Sequence, residues 1–533
     1  MYKKCMAGIS IGLILAVLLF INILQNNKFT LFNPVSPTLA EEVWSGRTRA
    51  ERFEFGNLLC NGIQVPVDYV EKTFYIPLNM DTEEWETLEF TSGKPEYQIL
   101  FSEDFTKYDK QQLIRDNADI EFLVYTDTEF STYHIRFTGL PVIDLSTQAG
   151  IENQKEIAGN IVFYDTNFSS QGIQNSEYNG HVRGNMSTLF PKKGYKINLT
   201  KQKADGVVEN NKLSLFGMRQ DDDWILSALY NDESKLREAL CIELWNQMGG
   251  KSIYTNSNYN TTQVYVELLV DESYYGMYAF KEPIDAKQLN LQSDDYLYKR
   301  ENPEDLDAEV FENAKNPEEH VLGFEIKEGV LSEFAWEPMA ELSALLSSSD
   351  EQFEAKVGTM MNEDNAIKLW LYIQAVSGYD QQKKNVFYVA RYEGDSYYFT
   401  FAPWDLDLTY GHRSDANPET LFTRYDEGML TKYFYWETGD RLIRENVNGA
   451  ADKMQKLYET LRKTVLSDDA IETQAAQFDH ILRDSGAYAR EQQRWPESAL
   501  SENADVVLKF AKDRLAYLDT ALYDLEQFLN QEQ

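Results

Sequence analysis

The sequence predicts an α+β protein in which an N-terminal transmembrane helix and a small β-sandwich-like domain precede a larger, two-lobed domain. Three observations carry this. Short alternating runs of β-branched and aromatic residues fill the first 150 positions, strand patterns continue from residue 153 to about 280, and helical periodicity dominates beyond Leu331. Strands followed by helices indicate segregated layers, not a βαβ repeat. At 533 residues the chain exceeds one ordinary core, and 43% hydrophobic residues, with 33 Tyr, 29 Phe and 9 Trp, supply apolar surface for more than one.

Taken in order, residues 1–25 form the anchor. Lys3 and Lys4 precede an apolar run from Met6 to Leu24, whose nineteen residues approach the roughly 30 Å needed to span a bilayer. The paired lysines keep the N-terminus in the cytoplasm, so the bulk of the chain is expected to be extracytoplasmic at the cell membrane. Cleavage of a secretory signal would leave the body on the same side. Residues 26–43, with Pro34 and Pro37, read as a linker. Residues 44–150 form the β-rich domain, with strands expected at Thr73–Leu78, Tyr97–Phe101, Ile120–Tyr125 and Tyr133–Phe137; such a module is a candidate contact for a wall, carbohydrate or protein partner.

Residues 153–530 form the second domain. Asn160–Tyr164, Gly194–Leu199, Gln263–Leu269 and Tyr275–Phe280 read as strands, and Glu233–Met248 as a helix. A later helix carries Ile367, Trp370, Leu371 and Ala375 on one face and runs into Gly378, and a final helical series spans Val506–Phe528.

Composition and motif searches narrow the function. A formal charge of −37 opposes binding to phosphodiester backbones and favours cationic, basic-polypeptide or small-molecule partners. Cys5, Cys60 and Cys241 form no disulfide framework, and five scattered histidines build no metal cluster. Zincin, serine hydrolase, P-loop and dinucleotide-binding signatures are missing.

The positive signal lies between residues 380 and 407. Asp380 and Asn385 stand five apart after a helix, Val386–Ala390 reads as a strand, Glu393-Gly394-Asp395 as a turn, Tyr397–Phe401 as the returning strand, and Trp404-Asp405-Leu406-Asp407 follows. Helix, DxxxxN, strand, turn, strand, Asp is the layout of a protein-kinase catalytic segment, in which the first Asp orients the acceptor hydroxyl while the Asn and later Asp hold Mg²⁺. Upstream, Lys196 is the candidate strand lysine for the nucleotide phosphates. Glu243 is its candidate helix partner, with Glu238 competing, and Lys281–Asp285, including Glu282, sits where a hinge is expected. The domain is therefore expected to be bilobal and protein-kinase-like.

At this point the residues resemble the spore-coat CotH kinase family. The resemblance rests on Gly180-His181-Val182-Arg183-Gly184-Asn185-Met186-Ser187 followed by Lys192-Lys193-Gly194-Tyr195-Lys196, on Trp224-Ile225-Leu226 with Tyr230-Asn231-Asp232 and Leu236-Arg237, on Gly276-Met277-Tyr278 through Glu282, and on Trp404–Asp407 with Gly411. It covers roughly residues 155–525. It implies ATP- and Mg²⁺-dependent phosphorylation of serines on coat proteins. Carried over by position, Asp380 is the catalytic Asp, Asn385 and Asp405 are metal ligands, and Lys196 contacts phosphate. Asp407 is a second acidic ligand or a cap for the following loop, and Arg183 and Asn185 occupy the place of a phosphate-covering loop. The sequence departs from ordinary kinases in lacking His-Arg before Asp380 and in moving the lysine that usually stands two residues after it to Lys383 or Lys384. Two other readings compete: a glycosyltransferase whose Asp405-Leu406-Asp407 chelates Mn²⁺, which needs a βαβ half before it, and a noncatalytic surface scaffold.

Overall fold

The computed structural model describes residues 31, 33–81, 87–148, 156–184, 186–249, 261–414, 423–498 and 504–531. The expected anchor at 1–25 and Asn185 lie outside these. Among the described residues no helix is long and apolar enough to cross a membrane. The chain is α+β, with strands concentrated before residue 282 and helices after residue 330.

The N-terminal module is built on a six-stranded sheet that includes β1 (Thr73–Pro77), β2 (Gln98–Phe101), β3 (Ile120–Tyr125) and β4 (Glu129–Thr138). β2, β3 and β4 pair antiparallel, whereas β1 runs parallel to β4. A three-stranded sheet closes over it, so Leu58, Cys60 and Phe90 share one core with Phe74, Phe101, Phe122 and Tyr133. The alternation that identifies β4 is visible in its burial: Ser131, Tyr133 and Ile135 face the core, and Thr132 and His134 face outward.

A closed barrel follows, which strand patterns alone did not announce. Its seven strands are β5 (Val142–Thr147), β6 (Glu156–Tyr164), β7 (Ile173–Arg183), β8 (Gly194–Gln202), β9 (Asp223–Ser227), β10 (Gln263–Val270) and β11 (Ser273–Lys281), ordered β7-β6-β5-β10-β11-β9-β8 with β8 returning to β7. Thus β5, within the 44–150 segment, pairs with β6 and β10 as a barrel strand. Tyr178, Tyr195, Ile197, Trp224, Leu226, Tyr278 and Phe280 are among the side chains that fill the interior. Closure brings β7 and β8 very close at Gly180, where a Cβ would lie 2.1 Å from the Lys196 carbonyl oxygen.

Helix α1 (Arg237–Gln247) lies against the barrel's outer face, where its Leu240, Leu244 and Trp245 share a core with Tyr265, Met277 and Ala279. Beyond it, β12 (Tyr296–Arg300), β13 (Phe324–Glu328), β14 (Val386–Tyr392) and β15 (Tyr397–Pro403) form a four-stranded antiparallel sheet. Helices α2 (Glu337–Leu346), α3 (Asp350–Met360), α4 (Glu363–Val376), α5 (Glu437–Arg444), α6 (Ala450–Arg462), α7 (Asp468–Asp484), α8 (Ala487–Arg494) and α9 (Asp505–Ala521) complete this half. The buried helix α4 starts where the Asn362 side chain accepts from the Asn365 amide (2.9 Å), and stops where Ser377 turns left-handed. The final helical series breaks after Ala521: Asp524 caps a separate short helix, Leu525–Leu529, by accepting from the Gln527 amide.

A candidate active site below the barrel

Two loops leave the same end of the β14–β15 hairpin and are stitched together. The Tyr379 amide donates to the Leu408 carbonyl (3.2 Å), the Tyr410 amide to Val376 (2.8 Å), and the Trp404 amide to Asn385 (2.9 Å). The Gln381 side-chain amide donates to the carbonyls of Trp404 (2.8 Å) and Asp405 (3.1 Å). Helix α4 is held to β15 through Asn365, which exchanges hydrogen bonds with both backbone groups of Phe401 (3.1 and 2.6 Å). Asn385 and Asp405 both adopt positive φ (54° and 56°), a conformation costly for side chains larger than glycine and concentrated at functional sites.

These loops bring four sequence-predicted residues together. Asn385 Nδ2 donates to Asp380 Oδ2 (3.1 Å) and reaches Asp405 Oδ2 (3.5 Å). Asn231 Nδ2 donates to Asp407 Oδ2 (3.1 Å) from the segment before α1. Of the two displaced lysines, Lys384 pairs with Asp380 (2.7 Å), whereas Lys383 turns outward to Asp305 (2.8 Å). Asp380 is buried and its Oδ1 has no hydrogen-bond partner.

The electrostatics follow from this crowding. Burial raises the Asp380 carboxyl above its ordinary range; Lys384 opposes the shift and Asp405 adds to it. Asp407 is pushed well above the carboxylate range by burial and by Asp405, Asn231 opposing, with Asp380 and Glu238 contributing further. Burial pulls Lys384 down, but Asp380, Asp405 and Asp407 outweigh it and hold the ammonium above its usual value. Three carboxylates answered by one lysine, with an unpartnered buried carboxylate oxygen and a nearby amide, are hard oxygen donors suited to a divalent cation such as Mg²⁺.

The lysine–glutamate partnership corrects the sequence expectation. The pairing of Lys196 with Glu243 does not form; the buried ion pair joins Lys281, at the end of β11, to Glu238 on α1. Five residues of helix turn Glu243 about 140° away from Glu238, and Glu243 accepts from Gln247 instead (2.8 Å). Lys196, Ile225 and Lys281 form one cross-strand row on the barrel's outer face. Lys196 thus looks out on the same side as Lys281, two strands away, and pairs with Asp223 (3.7 Å), which also takes Lys287 (2.7 Å). Lys281 was legible: with Tyr278 and Phe280 pointing into the barrel, strand parity puts Ala279 and Lys281 outside.

Replacing Glu238 by Gln strands the Lys281 ammonium and is expected to cost about 3–5 kcal/mol in urea unfolding. Glu243→Gln is expected to stay within about 0.5 kcal/mol. Equal effects would contradict the assignment.

Trp404 connects the cluster to the barrel. Its ring lies under Lys281 (5.0 Å to the centroid) and Arg183 (5.9 Å), so the β7–β8 hairpin reaches over the Asp405 loop. Glu282 does not join the cluster. Its side chain accepts from the Arg219 amide (2.9 Å), and burial raises its carboxyl.

Barrel, hairpin loops and acidic cluster together define an α+β protein with a carboxylate-and-amide site at the foot of a barrel. The chain belongs to the CotH family: a family model described as CotH kinase protein matches residues 181–518. That match begins inside β7, ends inside α9 and leaves the N-terminal module outside it. No curated protein matches the chain.

Proposed function

We propose that the chain is a membrane-tethered, ATP- and Mg²⁺-dependent protein kinase of bilobal, kinase-like plan, transferring the γ-phosphoryl group to Ser or Thr hydroxyls of a protein acceptor. The observation that carries this reading is the convergence of Asp380, Asn385, Asp405 and Asp407 within hydrogen-bonding reach of one another or of Asn231 and Lys384, beneath the Lys281–Glu238 pair. Asn385, Asp405 and Asp407 would hold Mg²⁺, which supplies neutralisation of phosphate charge when bound. Asp380 orients the acceptor hydroxyl and takes its proton at Oδ1, the oxygen with no partner. Lys281, braced by Glu238, donates to phosphate oxygens, and Arg183 closes over them from the hairpin. Lys196, in the same row as Lys281, adds positive charge along the cleft wall.

The family match supports this assignment, as does the sequence order of the motifs. The apolar run Met6–Leu24 supports the tether and an extracytoplasmic body, and the charge of −37 favours a basic, serine-rich acceptor. The glycosyltransferase alternative needs consecutive parallel βαβ strands before Asp405, and none occur among the described residues. Thermal unfolding with ATP and Mg²⁺ tests the reading. Wild type is expected to gain stability with ligand concentration and Asp405→Ala to lose that gain. No shift in wild type would overturn it in favour of a scaffold.

A further inference from the structure

We propose that the N-terminal module carries a binding site for a neutral saccharide on the outer face of its six-stranded sheet, separate from the carboxylate cluster. The helix Pro37–Gly46 crosses that face, packing Ala40 and Val43 on Leu100, Leu123, Tyr125 and Phe130. Beside the last turn of this helix a groove of about 430 Å³ opens over the uncovered part of the sheet, within the size range of small-ligand sites.

The groove has the chemistry that sugar rings require. Trp44, on the helix's last turn, lines one wall and is 41% exposed, whereas Trp224, Trp245, Trp336, Trp370 and Trp436 are all fully buried. An open indole offers a flat apolar face to the C–H face of a pyranose, an arrangement in which area and ring quadrupole both contribute. Across the floor, Glu121 and His134 stand directly opposite each other in the antiparallel β3–β4 ladder, which puts their Cβ atoms roughly 5 Å apart. His134 is half-buried in that floor, its Nδ1 buried and without a hydrogen-bond partner in the protein, so the rest of the ring is what lines the groove. A carboxylate acceptor beside an imidazole suits the alternating donor and acceptor demands of neighbouring hydroxyls.

Charge selects the ligand class. Arg49 and Lys72 balance Glu71 and Glu121 around the groove, so the site is electroneutral on a chain of −37. A strongly anionic ligand would meet both carboxylates and the field of the whole molecule, and a cationic one would meet Arg49 and Lys72. A polyhydroxyl ligand without charge uses all four groups as hydrogen-bond partners. The backbone of the floor is fixed: Arg49 is held in parallel register with Phe130, and the His134 amide donates to the Lys72 carbonyl (2.9 Å), so the positions from which these side chains project are set before a ligand arrives.

The test uses the full-length chain in a non-glycosidic detergent on an array of neutral and anionic oligosaccharides, followed by calorimetry on a retained glycan. At least one neutral glycan is expected to be retained. Trp44→Ala is expected to weaken its binding about tenfold or more and the isosteric Glu121→Gln about three- to tenfold. Both variants are expected to unfold at the wild-type midpoint and to keep the wild-type response to ATP and Mg²⁺, which separates this site from the proposed phosphotransfer centre. Retention of no neutral glycan, retention of anionic glycans alone, or wild-type affinity in both variants would overturn the proposal.

Discussion

Asp380→Asn is expected to lower phosphoryl transfer by about a hundredfold to ten-thousandfold while leaving stabilisation by ATP and Mg²⁺ in place. The asymmetry follows from the position of the side chain. Asp380 is tied on one oxygen to Asn385 and Lys384, and its other oxygen has no partner. An asparagine fills the same volume and keeps an acceptor toward Lys384, so the two loops remain stitched by their backbone bonds and by Gln381. What disappears is the group that takes a proton from the acceptor hydroxyl. Radiolabel transfer from ATP to a Lys/Ser polypeptide measures the loss, and thermal unfolding with ATP and Mg²⁺ measures the retained binding. Transfer within threefold of wild type would remove Asp380 from the chemistry; loss of the nucleotide response would make it a structural residue of the loop.

The second large effect concerns Arg490, whose guanidinium joins three parts of the molecule. It donates from α8 to Glu267 on β10 (3.0 Å), to Asn117 (3.1 Å) and Thr138 (2.8 Å) of the N-terminal module, and to the Ser485 carbonyl (2.6 Å). Neither Arg490 nor Glu267 retains any side-chain exposure. Arg490→Met preserves length and apolar packing but strands a buried carboxylate, for which about 3–5 kcal/mol of destabilisation is expected, read as a lower urea midpoint. The double variant Arg490→Met/Glu267→Gln removes the stranded charge and is expected to recover part of that loss. A single variant as stable as wild type would show that the other contacts hold the module in place without Arg490, among them the Arg115–Asp484 pair to the helical half (3.0 Å) and the stacked Tyr75 and Tyr274 rings to the barrel, 4.9 Å apart.

The acidic cluster was legible because its geometry is local. Asp380, Asn385, Asp405 and Asp407 are separated only by a tight turn and one hairpin, and antiparallel pairing of Val386 with Pro403 brings the two ends together. Alternation of apolar residues likewise located β1 to β4 and most barrel strands. The partner of the strand lysine was harder to read. Lys281 and Glu238 are 43 residues apart, on different elements, and meet only because α1 lies along the outer face of β10 and β11. Glu243 shares the helix with Glu238, and only the face that packs on the barrel decides between them. Lys384 and Lys383 are sequence neighbours, yet one closes on Asp380 while the other leaves for Asp305, a difference set by the turn around Asn385.

From composition, periodicity and the order of its motifs alone, the chain declares an α+β body and the hairpin that carries Asp380 to Asp407, and its motifs resemble those of the CotH family, whose model it matches over residues 181–518. Each of these depends on residues near one another along the chain, where spacing translates directly into geometry. Folding in three dimensions decided the rest. Pairing of β7 with β8 closed the barrel, β5 passed from the first domain's segment into it, and Asn231 came to rest on Asp407. Sheet closure and helix docking depend on contacts distant along the chain, and no local pattern encodes which of two equally spaced side chains will face such a contact.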